Sequence, residues 1–204
     1  MGITRSVVHA LEALGGAPPT DAVLRNSIGP PLRETFAEML ETTDAVLVER
    51  AVSLYRERYS TVGLFENAVY AGVPEALSRF REAGHRLWVV TSKPHVFARR
   101  ILEHFDLLRF FEGVYGCELD GAFSDKGDLI AHVLHTEGLA AGETWMIGDR
   151  MHDVRAAQRN GVRAVGVLWG YGSEEELGEA GPAAVVRNLD ELCAVIEHNP
   201  AIGA

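Results

Sequence analysis

The sequence predicts an α/β protein: a doubly wound parallel sheet preceded by a small helical region. Three observations lead there. Apolar residues before about Glu66 recur at helical spacing, with no convincing strand among them. From Tyr70 onward short apolar runs alternate with amphipathic stretches, the pattern of parallel strands joined by helices. Polar residues gather just after those runs, where sheets of this kind bind ligands. These signals divide the chain into a helical region over residues 1–68 and a sheet-bearing core over 69–204.

The elements follow in order. Ile3, Val7, Leu11 and Leu14 mark one face of a first helix, which Gly15-Gly16 stops. Pro18-Pro19-Thr20-Asp21 reads as a loop and an N-cap, and Asn26-Ser27-Ile28-Gly29-Pro30-Pro31 as a second break. Two more helices cover 32–40 and 45–59. In the core, a helix opens at Pro74 and ends at Gly84, and residues 86–91 form a strand of buried type. A helix over 94–104 carries proline in its first turn. A short strand over 113–116, a helix over 126–137, a strand over 144–147, a helix over 154–160 and a strand over 163–168 come next. Ala184-Val185-Val186 reads as one more strand.

Composition narrows the function. Of 204 residues 47% are apolar, enough for a sizeable core, and no apolar stretch approaches the ~20 residues of a membrane span. Met1-Gly2-Ile3-Thr4-Arg5 runs into a helix without a signal-peptide pattern, so a cytoplasmic protein with no membrane partner is expected. Cys117 and Cys193 are far apart and lack metal spacing, in keeping with a reducing compartment. A formal net charge of −10 argues against nucleic acid. It also means that any phosphate site must be made locally, by a metal, a lysine and backbone N–H groups. Composition leaves monomer and homodimer both open.

Three positions carry polar groups of the right kind. Thr91-Ser92-Lys93-Pro94 follows a strand and precedes a helix, offering a hydroxyl and backbone N–H groups to an anion; an ordinary helix cap uses the same residues. Gly148-Asp149-Arg150-Met151-His152-Asp153 sets two carboxylates four apart across a strand-to-helix turn. Both can face one hard cation such as magnesium, or Asp153 can simply cap the helix while Asp149 closes the turn. Lys126 opens the helix before that strand, as a compact charge for the site or as a solvated surface lysine.

Taken in that order, these segments resemble motifs II, III and IV of the haloacid dehalogenase (HAD) superfamily hydrolases. The flanking residues are similar to the phosphoglycolate phosphatase-like and 5′-nucleotidase-like branch with a helical cap. The likeness runs from about Tyr70 to Asp190 and includes Gly161-Val162 and Trp169-Gly170-Tyr171-Gly172; Gly2-Ile3-Thr4 and Ile28-Gly29-Pro30-Pro31-Leu32 match the cap more loosely. The resemblance implies a Rossmann-like core and a magnesium-dependent phosphomonoester hydrolase acting on a small phosphorylated metabolite through an aspartyl-phosphate. It implies Thr91 and Ser92 on the phosphoryl oxygens, Lys126 between nucleophile and phosphate, and Asp149 with Asp153 at the magnesium. It places Arg33 in a cap loop facing the site, where it pairs with a substrate anion or else stays a solvated helix arginine.

Family members begin with a strand ending in Asp-x-Asp-Gly-Thr, whose first aspartate attacks phosphorus and whose second is the acid and base. These 204 residues contain no Asp-x-Asp; Leu119-Asp120-Gly121 is a distant echo. The resemblance places the missing strand between those ending in Thr91 and Asp149. Its absence is expected to leave two inner strands unpaired, at roughly 1–3 kcal/mol for each buried unpaired group. The expectation is a chain that starts downstream of its own first strand and is inactive as it stands. The alternative is a non-catalytic phosphate-binding or interaction protein of the same fold. Haloacid dehalogenase itself shares the fold but needs no magnesium cradle.

Other residues are assigned no role at this level. His132 and His135 lack a third ligand, Arg150 reads equally as a surface residue, Trp169 and Tyr171 read as packing, and Glu174-Glu175-Glu176 reads as a solvated helix start.

Overall fold

A computed structural model of the protein describes residues 2–198. The described residues form two compact units. One runs through Val69 and takes up Val96–Asp106; the other is Tyr70–His95 together with the residues from Leu107 on.

The first unit is helical. Helix α1 (Gly2–Ala13) buries Ser6, Val7, Ala10 and Leu11 and stops where Gly15 turns left-handed, at φ 83°. The Gly16 N–H then closes the end on the Leu11 carbonyl, 2.9 Å away. Two short helices follow, α2 (Asp21–Asn26) and α3 (Leu32–Met39). Thr20 stands at the N-cap of α2, as the sequence suggests, but its hydroxyl makes no capping bond. Helix α4 (Ala45–Tyr59) is capped by Asp44, whose carboxylate accepts the Val46 N–H at 2.9 Å. Helices α1 and α4 pack on each other around Val7, Phe36, Val52, Tyr55, Tyr59 and Leu64. Tyr55 stacks on Tyr59, whose ring meets the edge of Phe97 at 5.7 Å between centroids. Phe97 belongs to α6 (His95–His104), so most of a helix that lies within the second region of the sequence packs into the first unit. Close approach also ties this unit together: a Cβ on Gly2 would overlap the Gly63 carbonyl, so only glycine lets α1 lie this near the 63–65 turn.

The second unit is the α/β core. Its elements are α5 (Val73–Glu82), β1 (Trp88–Pro94), β2 (Gly113–Cys117), α7 (Lys126–Glu137), β3 (Trp145–Gly148), α8 (Met151–Arg159), β4 (Arg163–Val167), α9 (Glu174–Ala180), β5 (Ala184–Val186) and α10 (Leu189–His198). All pairings are parallel, and they fall into two sheets, β1–β2 and β3–β4–β5. Among the described residues β1 and β3 each have a neighbour on one side only, which matches the interrupted sheet expected from the sequence. Helix α7 spans the interruption, packing against β1, β2 and α8. A core of Val165, Val167, Val186, Leu192, Cys193 and Ile196 lies under α5 and α10; Ile130, Val154, Ala157, Ala164 and Leu177 form another. Within the described residues no helix is long and apolar enough to cross a membrane.

One strand boundary and one helix boundary differ by three residues from the sequence reading. Strand β1 continues three residues beyond Thr91, because its register shifts between Thr91 and Pro94: Thr91 faces Gly116 and Pro94 faces Cys117. Ser92 and Lys93 therefore form a bulge, the device that re-aims side chains at the end of a ladder. Helix α8 begins three residues earlier than expected, at Met151, which sets Asp153 in its first turn.

Candidate functional site

The Asp149–Asp153 segment leaves the tip of β3 and enters α8. Asp153 is buried, at 5% exposure, and both its oxygens are engaged. Its Oδ2 accepts the Arg150 N–H at 3.1 Å, closing the start of α8, and its Oδ1 is ion-paired with Lys126 Nζ. Gly148 makes this possible, since a Cβ there would overlap the Asp153 side chain. Asp149 is held from the loop after β4. Its Oδ2 accepts the Tyr171 N–H at 2.8 Å and its carbonyl accepts the Gly172 N–H at 3.0 Å. A Cβ on Gly170 would run into the Asp149 carboxylate, so glycine is what lets the two loops close on each other. Tyr171, set down as packing, thus meets Asp149 through its backbone; the residue is 56% exposed.

Lys126 sits at the first position of α7, which is capped by Asp125 accepting the Asp128 N–H at 2.9 Å. The Asp125 carboxyl lies below its ordinary range, chiefly through its hydrogen bond from Arg159. With Lys126 largely buried, at 17%, the solvated-surface reading of this lysine does not hold. The structure brings Lys126, Asp149 and Asp153 to one place, where helix capping and ligand positioning use the same groups.

The other predicted residues make contacts of their own. The Thr91 hydroxyl accepts the Lys93 N–H at 3.1 Å, inside the bulge, and the Ser92 carbonyl accepts Cys117 Sγ at 3.0 Å. The bulge lies between Thr91 and the start of α6 in the chain. In the first unit Arg33 lies on α3 and pairs with Glu49 on α4, a partner the sequence reading did not include. That hydrogen bond holds the Glu49 carboxyl below its usual range.

Sequence reasoning missed Glu176. It is not a solvated member of an acidic run: its Oε1 accepts Arg150 Nε at 2.8 Å and the Met151 N–H at 2.9 Å. Burial alone would raise its pKa, but the bonds from Arg150 and Met151 prevail and hold it low. The signal available was Ser173-x-x-Glu176, a helix-start pattern, which hides the real partner of the carboxylate.

Among the described residues no three His, Cys, Asp or Glu side chains gather as a ready-made metal cage. The donors present nevertheless fit magnesium, which takes hard oxygens from one or two carboxylates and completes its shell with water and substrate phosphate. Asp149 could hold such an ion. Asp153 is committed to Lys126 and to the start of α8.

Comparison with known proteins places the chain in a family. The family model for haloacid dehalogenase-like hydrolases matches residues 2–167. A 5′-nucleotidase of Pseudomonas aeruginosa is 48% identical over 96% of this chain and 88% of that protein. The tyrosine-protein kinase PtkA of Mycobacterium tuberculosis is 36% identical over 94% of this chain, which spans 65% of that protein. A phosphoglycolate phosphatase of Pseudomonas syringae pv. tomato is 29% identical over 79% of this chain and 60% of that protein. The crystal structure of a predicted phosphatase from Clostridium acetobutylicum superposes with a TM-score of 0.90 at 37% identity, covering 97% of this chain and 91% of that one. With the strand-tip carboxylates, the buried lysine and the parallel core in place, the chain belongs to the haloacid dehalogenase-like hydrolases and is a phosphatase of that family.

Proposed function

We propose that the protein is a magnesium-dependent phosphomonoester hydrolase acting on a small phosphorylated metabolite, with a nucleoside monophosphate preferred to phosphoglycolate. The observation that carries this reading is the buried Lys126–Asp153 pair at the start of α8, in the turn that Asp149 opens. The choice of substrate rests on the 5′-nucleotidase relative, which is more similar than the phosphoglycolate phosphatase. Bound magnesium would neutralise the phosphoryl oxygens and orient them. Asp149 would hold it, Lys126 would offset charge beside the phosphoryl group, and Thr91 with the Ser92 N–H would bind its oxygens. A carboxylate nucleophile would displace the ester oxygen from phosphorus, the leaving oxygen taking a proton. Water would then cleave the acyl phosphate, releasing inorganic phosphate and restoring the carboxylate.

The 204 residues hold no Asp-x-Asp to supply that nucleophile. The chain by itself is expected to bind magnesium and phosphate without multiple turnover. Robust magnesium-dependent hydrolysis of a phosphoester panel by this chain, abolished in Asp149→Ala, would overturn that expectation. The second reading, a phosphate-binding protein without catalysis, draws on the same missing pair and on the interrupted sheet. The intact mass of the protein from its source separates the two. A mass above 22.2 kDa with an added Asp-x-Asp segment supports the hydrolase, and a mass of 22.2 kDa favours the binding protein.

A further inference from the structure

Arg150 is the chain neighbour of Asp149, and a guanidinium on a carboxylate is among the stronger polar pairs. A cation so close to the candidate metal ligand competes with a dication unless something holds it elsewhere. In this structure the guanidinium is bonded by a carboxylate on another helix. Ser173 caps α9, its Oγ accepting the Glu176 N–H at 3.1 Å, which fixes Glu176 in the first turn of that helix. A glutamate there ordinarily folds back to its own helix start. Glu176 instead reaches to α8, where a single oxygen accepts both Arg150 Nε and the Met151 N–H. The Arg150 and Glu176 side chains are only 26% and 20% exposed, so the pair is less screened than a surface ion pair.

We infer that Glu176 is a positioning residue: it holds the Arg150 guanidinium away from Asp149 and closes the first N–H of α8, keeping the Asp149 carboxylate open to a divalent cation. The inference rests on the metal reading proposed above. Groups that orient a metal ligand without touching the metal typically contribute about 10–100-fold to metal affinity.

The test is magnesium titration of the 204-residue chain by calorimetry, repeated with manganese as a paramagnetic probe. Asp149→Asn comes first: if it binds as the unaltered chain does, the metal reading fails and this inference fails with it. With that site established, Glu176→Ala is expected to weaken binding about tenfold. Glu176→Gln, which keeps the shape and an acceptor for the Met151 N–H, is expected to weaken it less. Removing the competing cation as well, in Arg150→Ala/Glu176→Ala, should return affinity to within about threefold of the unaltered chain, which no purely structural role would do. Unchanged affinity in Glu176→Ala, or an equal fall in the double variant, overturns the inference while leaving the metal reading intact. If Glu176→Ala does not fold, Glu176→Gln compared with Arg150→Ala/Glu176→Gln decides in the same way.

Discussion

Strands β3 and β4 lie side by side and read alike in sequence, as short apolar runs, yet they live in different surroundings. Strand β4 is paired on both sides, and Val165 at its centre is fully buried. Strand β3 is paired on one side among the described residues, and Ile147 is 38% exposed. An apolar run states that a strand is suited to burial; its neighbours decide how much burial it receives. The candidate site residues Thr91 and Asp149 lie at the ends of the singly paired strands, β1 and β3, while the doubly paired β4 contributes the loop that holds Asp149.

The largest expected effect lies at the tip of β3. Asp149→Asn should remove measurable magnesium binding while leaving the melting temperature nearly unchanged, because its side-chain contact is one exposed-loop N–H; a large fall in stability would show that the carboxylate is part of the scaffold. Next, Val165→Ala in β4 should cost about 2 kcal/mol, from two buried carbons and the cavity they leave. Ile147→Ala in β3 removes more carbon but should cost less than about 1 kcal/mol, because that side chain already meets water. Urea midpoints at unchanged slope would measure both, and equal losses would break the contrast between the strands.

A pH experiment sharpens the same contrast from the helical unit. Glu66 is bonded by Arg58 and Arg5, and these hydrogen bonds hold its pKa down, from 4.5 to about 2. A depressed carboxyl contributes stability that is present above its unfolded pKa and lost as pH falls through the folded value. Glu66→Gln should therefore melt earlier than the unaltered chain at neutral pH, with the gap closing between about pH 4.5 and pH 2. A gap that persists at pH 2 would assign the loss to packing. The smallest effect is expected in β1. Trp88 Nε1 is buried without a hydrogen-bond partner, so Trp88→Phe removes an unsatisfied donor and should stay within about 1 kcal/mol of neutral.

Much of the architecture was legible because local signals sufficed. Helices over 45–59 and 126–137 begin and end where their aspartate caps and apolar spacing place them. The carboxylate pair four apart marked a strand-to-helix turn, and the structure gives that turn. What was illegible depends on distant partners. The extension of β1 past Thr91 needs Gly116, on another strand, to admit the Lys93 carbonyl. The affiliation of α6 depends on which core Phe97 enters, and periodicity shows an apolar face without naming its neighbour. Arg33 and Glu176 were read from their own helices, whereas each meets a carboxylate or donor on a different one.

The joining of Lys126 to Asp153 has a consequence for how this protein can be dissected. One end of the pair rides on α7, which packs on the β1–β2 sheet, and the other on α8, which packs on β3 and β4, so the bond works as a rivet through the seam of the core. Drawing the rivet from one side strands a lone charge in a dry place, at roughly 3–5 kcal/mol, whereas replacing both heads with neutral groups of similar size costs far less. A Lys126→Ala variant is therefore a folding experiment before it is a chemical one. The chemical question is put by Lys126→Met/Asp153→Asn, which takes the charges out together and leaves the joint filled.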